Sequence, residues 1–182
     1  MKEQYLLNQI SEGNKKAFEE LYVLFKDKVY NTAICYLQNV EDAEEVTQDV
    51  FLTIFYKADT FNGNSSVSTW VYKMTVNKSI NQINKAKRRP NSKYELKEDH
   101  RIDFKHPGII LENQEKATYL FTAINELDES QKTAFILTYI EGLPQLEVAT
   151  IMENTVKSVE SLLQRAKTNL RKKIISMYPE GK

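Results

Sequence analysis

The stretch Glu41-Asp42-Ala43-Glu44-Glu45-Val46-Thr47-Gln48-Asp49-Val50-Phe51-Leu52-Thr53-Ile54-Phe55-Tyr56-Lys57-Ala58 decides how the chain is read. Wound at about 100° per residue, it gathers Ala43, Val46, Val50, Phe51, Ile54 and Ala58 on one arc, the core face of an amphipathic helix. Glu45, Asp49, Leu52 and Tyr56 fall on the opposite side, flanked by Glu41 and Gln48. Asn39, just ahead, is a suitable N-cap. Leu52 thus sits in an acidic face where the protein's own core offers it nothing. A solvated face with one tolerated leucine explains this pattern. So does a docking surface for a basic protein partner, with Leu52 as apolar anchor and the acids as rim. Metal ligation by the carboxylates is conceivable, but no histidine accompanies them.

Upstream, Leu21, Tyr22, Phe25 and Val29 follow Phe18 at three- and four-residue steps, a helix that ends near Cys35 and Leu37. Downstream, the turn-rich segment from Asp59 leads to a third helix, capped by Ser66 or Ser65 and running to about Arg88. Tyr72, Val76, Ile80 and Ile83 share one side of it; Lys73, Asn77, Asn81, Asn84 and Arg88 share a polar side that includes Trp70. Amides and cations around a large ring suit phosphates and unstacked bases, although an indole alone is more often core. The preceding loop, Phe61-Asn62-Gly63-Asn64-Ser65-Ser66, can close around a flipped base or merely turn the chain.

Between Arg89 and about Gln114 the periodicity dissolves around Pro90, Pro107 and Gly108, which marks a linker at 90–115. It holds four bases against six acids, a net of −2. Helical pattern resumes at Tyr119, Leu120, Ile124 and Leu127. Asp128 with Gln131 resembles a capping box for a helix carrying Phe135, Ile136, Tyr139 and Ile140, ended by Gly142 and Pro144. Leu143 to Met152 forms a short helix; a turn at Glu153-Asn154-Thr155 leads into a longer one through Val159, Leu162, Leu163 and Ala166. Val148, Met152 and Val159 with the small Ala149 have the spacing of a helix-turn-helix. Asn154 is the turn residue expected to take the left-handed conformation usually given to glycine.

Composition agrees with an all-α protein of two small helical domains joined by a flexible linker, the C-terminal one a helix-turn-helix. The 182 residues hold only 5 Gly and 4 Pro, too few for the reversals of a sandwich or barrel. One cysteine, Cys35, cannot close an internal disulfide, and with only His100 and His106 no Cys/His zinc site can be assembled. The N-terminus has no long apolar core, and no later stretch approaches a spanning helix. We expect a cytoplasmic protein without membrane insertion.

The 25 Lys+Arg and 25 Asp+Glu cancel, which at first argues against a polybasic nucleic-acid binder. The charges are sorted, however. Residues 41–49 hold five acids and no base, residues 73–89 six bases and no acid, and residues 155–173 six bases against one acid.

In order and spacing these pieces resemble an RNA polymerase sigma factor of the small extracytoplasmic-function group. Asp42-Ala43-Glu44-Glu45-Val46-Thr47-Gln48-Asp49-Val50-Phe51-Leu52 is similar to the family's Asp-Ala-Glu-Asp-x-x-Gln-Glu-x-Phe-Leu stretch. Ser65-Ser66-Val67-Ser68-Thr69-Trp70-Val71-Tyr72 resembles Ser-x-Phe-x-Thr-Trp-Leu-Tyr, with Asn77 and Lys87-Arg88-Arg89 following at the expected positions. Lys157 to Lys167 is similar to Gly-Thr-Val-x-Ser-Arg-Leu-x-Arg-Ala-Arg, with Lys157 for Gly and Leu162 for Arg.

The resemblance implies a region 2 domain at 1–89 and a region 4 domain at 116–182. It implies docking on the clamp coiled coil of the polymerase largest subunit through Asp42, Glu45, Gln48, Asp49 and Leu52. It assigns capture of the minus-ten promoter element to Asn62, Gly63, Asn64, Ser65, Ser66, Trp70, Lys73, Asn77, Asn81 and Arg88. It assigns reading of the minus-thirty-five element to Lys157, Ser158, Glu160, Ser161, Gln164, Arg165 and Lys167. The acidic linker would pass through the polymerase channel toward RNA exit. An anti-sigma factor is a further partner that the family suggests; no cofactor, metal or catalytic residue is implied. The rival reading is a helix-turn-helix regulator acting alone on duplex DNA, which leaves Leu52 and the Asn-rich basic face without a role. A carboxylate-dependent nuclease lacks a convergent set of ligands and bases.

Overall fold

The computed structural model describes residues 2–88 and 114–177, with side chains from 119 to 176 in the second stretch. The described residues form helices and turns without a strand, in two compact units, one per stretch. Most of the expected linker, with His100 and His106, lies outside the described residues, as does Arg89.

The first unit is built on α2 (Lys15–Leu37). Asn14 caps it, its side-chain oxygen accepting from the Lys16 and Ala17 amides at 3.0 and 3.2 Å. Ala17, Leu21, Phe25 and Val29 form its buried stripe, and from Thr32 to Leu37 every residue is buried, so its last turns are enclosed on all sides. Gln38 in the left-handed conformation ends it, φ 49°, its amide donating to Ile34 O at 2.9 Å. Asn39 opens α3 (Val40–Lys57) at once, its side chain accepting from Asp42 N at 2.8 Å.

In α3 the expected arc is the buried one: Ala43, Val46, Val50, Phe51 and Ile54, followed by Ala58 in a single 3-10 turn, Ala58–Thr60. Ser66 caps α4 (Val67–Lys87), its hydroxyl accepting from Thr69 N at 3.0 Å. Tyr72 and Val76 are buried in α4, but Ile80 and Ile83 only partly. The buried face continues through Thr75 and Ser79, whose hydroxyls donate to Val71 O and Thr75 O within the helix. The helices α2, α3 and α4 pack mutually. A helix for which periodicity gave no expectation, α1 (Lys2–Ser11), buries Leu6, Leu7 and Ile10 against α2 and the 3-10 turn.

The second unit runs α5 (Gln114–Asn125), α6 (Glu129–Phe135), a π-helical turn (Ile136–Ile140), α7 (Gln145–Ile151) and α8 (Val156–Met177). Because α5 starts at Gln114, the last two residues of the expected linker are helical. Helix α8 packs against α5, α6 and α7 and seals the core with Val159, Leu163, Ala166 and Leu170.

Two local expectations are corrected. Asp128 precedes α6 without a side-chain bond to its backbone, so the capping box does not form. Gln131 instead donates to Asp128 Oδ2 at 3.0 Å and accepts from Asn169 Nδ2 at 2.9 Å, so its amide ties α6 to α8. In the helix-turn-helix the left-handed residue is Glu153, φ 52°, not Asn154. Asn154 closes the turn by donating its amide to Ala149 O at 2.9 Å, and Thr155 Oγ1 caps α8 by accepting from Ser158 N at 3.2 Å. Val148, Ala149 and Val159 are buried at the crossing, where the small Ala149 lets the helices approach; Met152 is only partly covered.

Candidate nucleic-acid and protein-docking surfaces

On α3 the acidic strip lies outside the core. Asp42 is half-buried and Glu45, Gln48 and Asp49 are exposed. Glu41 and Asp42 also occupy the first turn, where the amide dipoles of the helix favour negative charge. Leu52 is 53% exposed and Tyr56 74%, so an apolar pair extends the acids by one turn. Beside that pair runs an aromatic row: Tyr22 lies 4.6 Å from Phe51, and Phe18 lies 5.3 Å from Phe55, ring centre to ring centre. Burial, with the Glu44 carboxylate adding to it, pushes the Tyr30 phenol above its usual range.

Helix α4 meets the acids along its flank. Gln82 Nε2 donates to Asp42 Oδ1 at 2.8 Å and to Glu45 Oε2 at 3.0 Å, and Lys78 Nζ stands 3.8 Å from Asp49 Oδ2. Neither Gln82 nor Lys78 was expected from the sequence to belong to this surface. Their only signal there was the four-residue spacing on α4, which says nothing of which helix they face.

Asn77 and Asn81 are exposed on α4, as is Arg88 just past its end, and Lys73 is half-buried. Trp70 is neither core nor free: it is half-buried, its indole tilted 56° against Phe61 at 5.4 Å. In the loop, Asn62, Gly63, Asn64 and Ser66 are exposed and Ser65 half-buried. Asn62 Oδ1 accepts from Asn64 N at 3.1 Å, and Gly63 takes φ +74°. A Cβ at Gly63 would stand 3.4 Å from Gln4 Nε2, which puts α1 beside the loop.

In the second unit Lys157, Glu160, Ser161, Gln164, Arg165 and Lys167 are exposed on α8, while Ser158 and Leu162 are half-buried. The Lys167 ammonium lies over the Tyr139 ring, 4.6 Å from its centre, and Phe135, the last residue of α6, packs on that ring at 5.1 Å. A shallow groove lined by Gln131, Gln164, Arg165, Thr168 and Asn169 flanks this face. Among the described residues no group of three or more His, Cys, Asp or Glu side chains is arranged to hold a metal ion, and no helix is long and apolar enough to cross a membrane.

Residues 21–89 match the Sigma-70 region 2 family model and residues 118–170 the Sigma-70, region 4 model. The ECF RNA polymerase sigma-E factor of Haemophilus influenzae is 31% identical over 180 residues, which cover 94% of this chain and 95% of that protein. The chain belongs to the ECF sigma factors.

It is therefore a promoter-directing initiation factor of RNA polymerase, and the stand-alone regulator is not favoured. The ECF RNA polymerase sigma factor SigW of Bacillus subtilis is 26% identical, over 92% of this chain and 94% of that one. The all-helical fold is shared with the sigma factor RpoE of Bartonella quintana, solved with the anti-sigma factor NepR: TM-score 0.70, 21% identity, 87% of this chain and 97% of that one. In sigma-factor terms, the region 2 match holds the acidic strip, the Asn62 to Ser66 loop and the polar face of α4, and the region 4 match holds the helix-turn-helix.

Proposed function

We propose that this sigma factor docks on core RNA polymerase through α3 and opens promoters with the neighbouring face of α4. Asp42, Glu45, Gln48, Asp49 and Leu52 meet the clamp coiled coil of the largest subunit, a basic helical partner, with Leu52 as the anchor and the carboxylates around it. The observation that carries this reading is the adjacency of two opposite surfaces: an acidic strip with an exposed leucine on α3, and an amide-and-cation face on α4.

On the second surface the loop of Asn62, Gly63, Asn64, Ser65 and Ser66 receives a base of the minus-ten element extruded from the non-template strand. Small side chains with hydrogen-bonding edges suit such a pocket, and the half-buried Trp70 forms its wall. Lys73, Asn77, Asn81 and Arg88 hold the strand's phosphates and base edges, and these contacts offset the cost of unstacking. In the second unit Glu160, Ser161 and Gln164 read the minus-thirty-five base edges, Glu160 being suited to a cytosine amino group. Lys157, Arg165 and Lys167 hold phosphates, and Ser158 sits at the helix N-terminus beside them.

The chain makes and breaks no covalent bond; it works in the cytoplasm, where polymerase and promoters are. An anti-sigma factor belongs among its partners, since such a protein would silence it by covering either surface. Permanganate reactivity of minus-ten thymines in the complex with core polymerase tests promoter opening. The parent chain is expected to expose those thymines, and Asn64→Ala with Asn77→Ala to leave them protected while core binding persists. Full reactivity with both substitutions would place base capture elsewhere.

A further inference from the structure

The Gln82 side chain of α4 reaches across to two acids of α3. The Gln82 amide of α4 has two N–H donors, and both point at α3: one to Asp42 Oδ1 at 2.8 Å, the other to Glu45 Oε2 at 3.0 Å. Asp42 and Glu45 stand three residues apart on one helix, where like charges repel and long side chains would otherwise turn away from each other. The amide oxygen could accept from neither carboxylate, so only the donating end fits between them. One turn back along α4, Lys78 approaches Asp49 at 3.8 Å, with 56% of the Asp49 side chain still open to solvent.

We propose that Gln82 is a positioning residue for polymerase docking: it fixes the Asp42 and Glu45 carboxylates in place without neutralising them. A lysine or arginine at this position would also order the two acids, but it would cancel charge that a cationic partner needs. An amide supplies hydrogen bonds and no charge, so Gln82 itself leaves the negative charge of the strip unchanged while limiting the rotamers of the two acids. Side chains ordered before contact lose less freedom on association. The inference rests on the docking reading of α3, and it adds a residue of α4 to that interface.

The test is competition binding of full-length variants to core RNA polymerase, alongside thermal melting and binding to a minus-thirty-five duplex. Gln82→Leu removes both donors while roughly keeping the volume, and is expected to weaken core binding about three- to tenfold. Gln82→Glu, isosteric with the native side chain, faces two carboxylates with a third and is expected to weaken it further. Both variants should stay folded, melting at most a few degrees below the parent, and duplex binding should stay at the parent value. If Gln82 only filled space, leucine would serve as well, and core affinity equal to the parent in both variants would overturn the proposal. Asp49→Lys with Leu52→Ala, measured in parallel, separates the two levels. Loss of binding there with none at Gln82 removes the positioning role alone, whereas no loss in any variant removes the docking surface and Gln82 with it.

Discussion

Replacing Leu52 by alanine and Asp49 by lysine in one chain tests the docking surface at its centre. Leu52 is 53% exposed, so about half of the roughly 1.5–3 kcal/mol gained by burying a whole leucine remains to be gained on docking. Truncation alone then costs about 0.8–1.5 kcal/mol, or roughly four- to twelvefold in Kd. Asp49 contributes through charge: its contact with Lys78 is 3.8 Å long and exposed, a geometry that adds little to folding. Reversing its sign against a cationic partner turns a modest attraction into a repulsion of similar size. The two positions are one turn apart and their effects add only approximately. Together they are expected to cost about 1.5–3 kcal/mol, roughly 10- to 150-fold in affinity. Competition of the variant against labelled parent for core polymerase reads this directly. Both sites face solvent, so the melting temperature should hold. Unchanged affinity in a folded variant would refute the reasoning.

Further consequences follow for each unit. Arg165→Ala should weaken promoter binding and lower the salt slope of that binding by about one, with core affinity untouched, as measured by DNA titration at several salt concentrations. Ser66→Ala removes the cap of α4, a 3.0 Å bond to Thr69 N, and should destabilise the first unit by about 1 kcal/mol in urea melts. Glu153→Gly relieves the left-handed backbone at φ 52° in the helix-turn-helix and should raise the stability of the second unit by about 0.5–1 kcal/mol, read by the same melts. A loss of stability at that position would mean that the Glu153 side chain outweighs its backbone strain.

The helices of the first unit were legible where one face was apolar and the cap was local. Asn39 and Ser66 were readable because an N-cap bonds to residues two or three positions on, and the α3 arc because its core face repeats with the helical period. Helix α1 was not legible: Leu6, Leu7 and Ile10 make too short a pattern, and their burial depends on α2 lying against them. Intrinsic tolerance favours Asn154 as the left-handed residue of the helix-turn-helix, but the register of α7 and α8 places Glu153 at that point and uses Asn154 to close the turn. The spacing makes Gln131 a local cap, whereas its amide partner Asn169 lies 38 residues away. The same limit applied to the candidate surfaces. The acids, the leucine, the amides and the cations can be placed on helix faces from the sequence alone. That Gln82 ties Asp42 to Glu45, or that Tyr139 lies under Lys167, depends on how separate helices pack.

The most direct test is to map the 5′ ends of transcripts made in vitro from genomic DNA by core RNA polymerase with and without this chain. The expected result is a new set of starts that depends on the chain, shares two upstream sequence elements, and vanishes with the Leu52→Ala, Asp49→Lys variant. Start sites identical to those of core polymerase alone, with tight duplex binding by the free chain, would contradict it.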